Sequence, residues 1–67
     1  MLFTERFNEI LKISGVKQTE LAKYCNLAKQ TITSYKSGAS FPSIEILYKI
    51  CQFLDCSSDY LLGLSDI

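Results

Sequence analysis

Apolar residues recur at helical spacing along most of the chain. The first stripe has the offsets i, i+4, i+7 and i+8 of a helix that buries one face: Phe3, Phe7, Ile10 and Leu11. This spacing predicts a first helix over about Thr4 to Ser14. Thr4 is the predicted N-cap, and Gly15 is predicted to end the helix in the left-handed conformation.

Two shorter apolar stripes follow, separated by a tight turn. Their apolar residues lie three or four positions apart, which places them on one side of a helix: Leu21, Ala22 and Cys25 in the first, Ala28, Ile32 and Tyr35 in the second. The pattern predicts helices over about 18–25 and 28–36. Asn26 tolerates the left-handed conformation that ends a helix, and Leu27 can return to the core.

The last third of the chain predicts two more helices. A fourth helix is expected from Ile44 to Leu54, after a loop that Gly38 opens and Phe41 pins to the core. Ser43 is its predicted cap. Its predicted inward stripe is Ile44, Leu47, Ile50, Cys51 and Leu54. A fifth helix is expected over 57–63, with Ser57 as its cap and Leu61 and Leu62 closing the core. The fold class is therefore all-α, with five helices in one small domain over residues 1–67.

The segment 28–37 carries an unusual polar face. At 100° per residue, its amide, hydroxyl and ammonium side chains fall within one arc: Lys29, Gln30, Thr33, Ser34, Lys36 and Ser37. An ordinary solvated helix face mixes glutamate with lysine, but this arc holds no acid. Such a face suits the base edges and phosphates of a DNA major groove. A polar surface helix without a ligand is the alternative.

The charge of the chain is unevenly distributed although its formal total is zero. Residues 17–40 contain four lysines and one glutamate, a net charge of plus three. Residues 41–67 contain one lysine and four acids, a net charge of minus three. The positive charge therefore coincides with the two short helices, which favours oriented binding to a polyanion.

Other classes of site lack the residues they need. The chain has no histidine, and its three cysteines occupy apolar positions that predict buried, reduced thiols: Cys25, Cys51 and Cys56. It also has no Cys–His pair and no glycine-rich phosphate loop, so we expect no catalytic residue, metal, cofactor or small-molecule ligand. Without a signal peptide or a long apolar run, a cytoplasmic protein with no membrane contact is expected.

An ordered series of residues extends through nearly the whole chain. It consists of Gln18, then Leu21 and Ala22, Thr31 and Ile32, Gly38, Pro42, the stripe Leu47, Ile50, Cys51 and Leu54, and the ending from Ser57 to Gly63. With this series, the chain from about Arg6 to Gly63 resembles the helix-turn-helix domain of the Cro/phage-repressor (XRE-like) family. The resemblance implies a λ-repressor-like fold and a repressor-like regulator whose recognition helix, 28–37, enters the major groove of double-stranded DNA.

The resemblance and the polar face together imply two sets of DNA contacts. Base contacts are expected from the exposed side of the recognition helix: Lys29, Gln30, Thr33 and Ser34. Lys29 suits guanine and Gln30 suits adenine. Phosphate contacts are expected around it: Lys17, Gln18, Lys36, Ser37 and Ser40.

The chain departs from the family at one pair of positions. Relatives commonly place an arginine where this chain has Leu11 and a glutamate where it has Lys36, and the two form a partly buried ion pair. Both are replaced here, so neither charge is left without its partner. We interpret the double change as a compensated exchange that releases Lys36 toward solvent or phosphate.

Repressor domains of this family bind near-palindromic sites as dimers, which implies a weak homodimer here. The predicted interface uses the apolar residues left over at the acidic end: Phe53, Tyr60, Leu64 and Ile67. The alternative function is a protein-interaction module, such as an antitoxin or a regulatory adaptor with the same fold. The zero net charge and the spare aromatic residues, Tyr48 among them, favour this alternative.

Overall fold

The fold consists of five α-helices in residues 1–67, all of which the computed structural model describes. The helices are α1 (Phe3–Ser14), α2 (Gln18–Cys25), α3 (Lys29–Ser37), α4 (Ile44–Leu54) and α5 (Ser58–Leu62). The predicted bounds of α2 and α4 are confirmed, and the other helices shift by one residue at one end or both. The all-α, five-helix fold class is confirmed. None of the helices has the length and apolar composition that crossing a membrane requires.

The ends of the helices follow from the residues that stand there. Asn26 ends α2 with φ 57°, and Gly38 ends α3 with φ 83°, both in the left-handed region. A β-carbon on Gly38 would also lie 3.3 Å from Thr4 Oγ1, so the turn after α3 lies close against α1. The predicted serine caps are confirmed, because Ser43 and Ser57 each accept the N–H of the residue three positions on.

The start of α1 differs from the prediction. The helix begins at Phe3, no side chain caps it, and Thr4 lies inside the first turn. Phe3 is buried and its ring stacks on Phe7, one turn later, with 5.2 Å between the ring centroids. Because this contact requires Phe3 to be helical, Thr4 cannot serve as the N-cap.

The core is a single cluster of buried apolar and aromatic residues to which all five helices contribute: Phe3, Phe7, Leu11, Leu21, Ala22, Cys25, Ile32, Tyr35, Ile50, Leu54 and Leu61. Within this cluster α3 packs most closely on α1 and α2, whereas α4 packs most closely on α1, α2 and α5. Four further residues are half-buried against this cluster: Ile10, Leu27, Leu47 and Cys51.

Two residues predicted to lie in the core are exposed. Ala28 is the N-cap of α3 and has an extended backbone, so it lies outside the helical face to which it was assigned. Ile44 is 88% exposed. At 100° per residue it lies about 120° around α4 from the buried Ile50, beyond the inward face. Ile46 and Phe53 are half-buried against the core.

Phe41 attaches the loop before α4 less deeply than predicted. Its side chain is 54% exposed. The ring nevertheless meets Phe3 edge to face, with 6.1 Å between centroids, so one side of it covers the core.

The three cysteines are buried or half-buried thiols with no disulfide between them. Burial raises the pKa of Cys25 and Cys51 above the ordinary value. Burial, together with the neighbouring Cys51, raises the pKa of Cys56 to about 11. The protonated thiol is therefore the stable form of each at neutral pH.

We expect the three cysteines to react slowly with a thiol reagent at pH 8, and quickly once denaturant unfolds the domain, because the thiolate is the reacting species. The measurement is labelling followed over time by mass spectrometry, with and without urea. Since the folded pKa values are raised, the stabilisation from neutral thiols is present below the unfolded pKa of about 8.5. It is lost as the pH rises toward 11. Rapid native labelling of Cys25 would contradict its place in the core.

Candidate nucleic-acid interface

The polar face of α3 is exposed along one side of the helix. Lys29, Gln30 and Thr33 are exposed, and Ser34 is half-buried. The opposite side of α3 is fixed in the core by Ile32 and Tyr35. The helix therefore presents amide, hydroxyl and ammonium groups outward on a rigid support.

The residues predicted to contact phosphate lie at the two ends of this face. Lys17 is exposed at the N-cap of α2, and its backbone N–H donates to the Glu20 carboxylate at 3.1 Å. Ser40 is exposed in the loop after α3. The Ser37 hydroxyl is engaged in that turn, where it donates to the Ser34 carbonyl at 3.1 Å. Ser37 is therefore also a structural residue.

A chain of side-chain hydrogen bonds connects the remaining predicted residues. Lys36 Nζ donates to Gln18 Oε1 at 3.0 Å, and Gln18 Nε2 donates to Thr33 Oγ1 at 3.2 Å. Thr33 Oγ1 in turn donates to the Lys29 carbonyl at 3.3 Å. We call these residues the Lys36–Gln18–Thr33 network. It joins the start of α2 to the exposed face of α3.

Leu11 and Lys36 line the same cavity, which lies where α1, α2 and α3 meet. The cavity measures about 270 Å³ and is lined by Asn8, Leu11, Lys12, Val16, Gln18 and Lys36. Its lining contains two lysines and no carboxylate. The two positions therefore adjoin each other. Lys36 is half-buried and donates to Gln18, so its ammonium group is not released toward solvent as predicted.

Asn8 is a positioning residue that the sequence reasoning missed. Its Nδ2 group donates to the carbonyl oxygens of Thr4 and Lys36, each at 2.8 Å. The second bond fixes the last turn of α3 to α1. Nothing in the sequence singles out one asparagine in a helix for this contact, because its partner lies 28 residues away.

The lysines of α2 and α3 are not neutralised by ion pairs. The chain contains two ion pairs, and both lie elsewhere: Arg6 with Asp66, and Lys49 with Glu45. The positive charge predicted for residues 17–40 therefore remains available to a polyanion.

Arg6 joins α1 to the C-terminal residues on the far side of the core. Its Nη1 donates to the carbonyls of Tyr60 and Ser65 at 3.1 and 3.0 Å, and its guanidinium lies 4.5 Å from the centroid of the Tyr60 ring. The Ser57 hydroxyl donates to the Ile67 carbonyl at 2.8 Å. The C-terminal segment is therefore folded back onto the domain.

The residues predicted to form a dimer interface differ in exposure. Leu64 is 75% exposed and Ile67 is 90% exposed. Tyr60 is half-buried beneath Arg6, although it was expected to face outward. Phe53 is half-buried against Tyr24, with 4.7 Å between ring centroids.

Comparisons with known proteins identify the family to which the chain belongs. Residues 8–61 match the model of a protein family described as helix-turn-helix. The chain is 26% identical over 65 residues to the uncharacterized HTH-type transcriptional regulator YobD of Bacillus subtilis, covering 97% of this chain and 58% of YobD. It is 27% identical over 67 residues to the HTH-type transcriptional regulator ImmR of the same organism, covering 100% of this chain and 53% of ImmR. The chain thus spans little more than half the length of these relatives.

A solved structure gives the same result for the fold. The crystal structure of a transcriptional regulator from Listeria innocua superposes with a TM-score of 0.83 at 31% identity. The match covers 91% of this chain and 57% of the Listeria protein.

Proposed function

We propose that this chain, which belongs to the Cro/phage-repressor (XRE-like) helix-turn-helix family, is a sequence-specific DNA-binding regulator of transcription with a repressor-like mode of action. The observation that carries the proposal is the exposed, acid-free face of α3, held by Ile32 and Tyr35 on a rigid core. A helix of this width fits the major groove, where each base pair presents its own pattern of donors and acceptors. Residues 28–37 are the proposed recognition helix.

The proposed contacts divide into those that read sequence and those that position the domain. Base edges are read by the exposed side of α3: Lys29, Gln30, Thr33 and Ser34. Phosphates are contacted by the residues around it: Lys17, Gln18, Lys36, Ser37 and Ser40. Phosphate contacts supply affinity that falls as the salt concentration rises. Base contacts supply the difference in affinity between one DNA sequence and another. One recognition helix reads only a few base pairs, so we propose that two copies act together on a near-palindromic site.

Gln30 gives the most direct test of base reading, because its exposed amide makes no hydrogen bond within the chain. We expect Gln30→Ala to weaken binding to the specific site by about 1–3 kcal/mol and to leave non-specific binding nearly unchanged. The measurement is a titration of both DNAs at one salt concentration, with a site selected from random duplexes.

The control is Gln52→Ala, an exposed glutamine on α4 whose amide bonds Tyr24 and Tyr48 and no residue of α3. This control should leave the binding of both DNAs unchanged. If Gln30→Ala weakens both DNAs equally, Gln30 does not read sequence.

The second candidate function is a protein-interaction module, such as an antitoxin or a regulatory adaptor. The exposed apolar residues of α4 favour it, since Ile44 is 88% and Tyr48 is 62% exposed. Binding to random DNA that weakens steeply with salt supports the DNA-binding function. Salt-insensitive binding of a single protein, lost in an Ile44→Ser, Tyr48→Ser variant, supports the interaction module.

A further inference from the structure

We propose that Lys36 sets the base preference of Thr33 by fixing the orientation of the Gln18 amide. The proposal rests on the DNA-binding function proposed above and adds a positioning residue that acts through another side chain. Lys36 is half-buried beside Leu11, and its ammonium group donates to Gln18 Oε1 at 3.0 Å.

The chemistry of lysine fixes the direction of the network. An ammonium group has three donors and no acceptor, so only the oxygen of the Gln18 amide can face it. The amide nitrogen must then face Thr33, and the 3.2 Å contact is a bond from Gln18 Nε2 to Thr33 Oγ1. The opposite amide orientation would place donors of Lys36 and Gln18 against each other. No carboxylate lines the cavity to compete for Lys36.

Thr33 consequently offers DNA an acceptor and no donor. A hydroxyl has one hydrogen and two acceptor lone pairs. Thr33 gives its hydrogen to the Lys29 carbonyl and receives one bond from Gln18, so one lone pair remains toward solvent. In the major groove the donors are the amino groups of adenine and cytosine, whereas guanine and thymine present oxygen acceptors. The base opposite Thr33 should therefore carry an amino group.

The network is anchored at its inner end. Asn8 donates to the Lys36 carbonyl at 2.8 Å and so ties this turn of α3 to α1. Without the ammonium group, the Gln18 amide can turn over and accept the hydroxyl hydrogen of Thr33. The lone pairs of Thr33 then lose their fixed direction toward the groove, and the preference for an amino group weakens.

The test measures base preference at one position of the DNA site. Binding sites are selected from random duplexes, and Thr33→Val identifies the base pair that Thr33 reads. We expect the wild-type protein to prefer adenine or cytosine there by roughly two- to tenfold, the effect of one hydrogen bond. Lys36→Met should abolish this preference at that position alone, and Lys36→Arg, which keeps a donor, should restore it. Adding Thr33→Val to Lys36→Met should cause no further loss of preference.

Two controls separate this role from charge and from folding. Lys12→Met removes a charge from the same cavity, from a lysine that does not bond Gln18, and should leave the preference intact. Thr33→Ser keeps the hydroxyl and should keep the amino-group preference without any change at Lys36. Thermal unfolding of each variant establishes that it is folded.

Three results would overturn the inference. If Lys36→Met lowers affinity by the same factor on every DNA and the preference remains, Lys36 contacts phosphate only. If the wild-type protein prefers guanine or thymine opposite Thr33, the direction of the network is wrong. If the wild-type protein selects no sequence at all, the DNA-binding function itself fails, and this result is distinct from the other two.

Discussion

Replacing Leu11 by arginine should destabilise the domain strongly, and adding Lys36→Glu should recover much of the loss. Leu11 is 7% exposed and lines a cavity with Lys12 and Lys36 but with no acid. An arginine there would place a third positive charge in a partly buried space. An uncompensated buried charge costs roughly 3–5 kcal/mol, a large part of the stability of a domain of this size.

The recovery depends on the contact between positions 11 and 36. A glutamate at position 36 would give the new arginine a carboxylate partner, so the two changes should be non-additive. The measurement is the free energy of unfolding in urea for both single variants and for the double variant. Leu11→Arg combined with Lys29→Glu is the matched control, because Lys29 is exposed on the same helix and does not line the cavity. Strict additivity of the first pair would show that the two positions do not interact.

The sequence predicts this fold well because the fold depends on local signals. Periodic apolar residues place Phe7, Leu21, Ile32, Ile50 and Leu61 in the core, and each of them is completely buried. Residues at helix ends act on their own neighbours, so the roles of Asn26 and Ser43 follow from propensity alone. Two of the errors occur at helix starts, where a single residue decides whether the buried face has begun. Ile44 and Ala28 are both such residues.

The arrangement within the candidate site could not be predicted in the same way. Lys36 and Gln18 are 18 residues apart, and Gln18 and Thr33 are 15 apart. Their contacts depend on how α2, α3 and α1 cross, which no periodicity specifies. Arg6 is a similar case, because its carbonyl partners lie 54 and 59 residues away. The sequence predicts which side chains suit DNA, and the packing of the helices determines which of them act together.

Removing the apolar side chains at the C-terminal end should abolish cooperative binding of two copies to a palindromic site. Leu64 and Ile67 are highly exposed, and the segment that carries them is held in place by Arg6 and Ser57. Exposed apolar groups on an ordered support favour self-association. The acidic residues of this end also direct it away from phosphate. We therefore expect a weak homodimer through Leu64 and Ile67, with Tyr60 and Phe53 at its edge, that DNA strengthens.

The test is the double variant Leu64→Ser, Ile67→Ser. It leaves Tyr60 in place, because Tyr60 packs beneath Arg6 and its loss would also disturb the fold. Binding to two linked half-sites is roughly 10²–10⁴ times tighter than binding to one. The variant should therefore lose about that factor in affinity for the palindrome, and its affinity for a single half-site should not change. Light scattering and titration of both DNAs measure this. Ile44→Ser, Tyr48→Ser removes exposed apolar groups from α4 instead and should bind as the wild-type protein does. If only that control loses cooperativity, the two copies pair through α4.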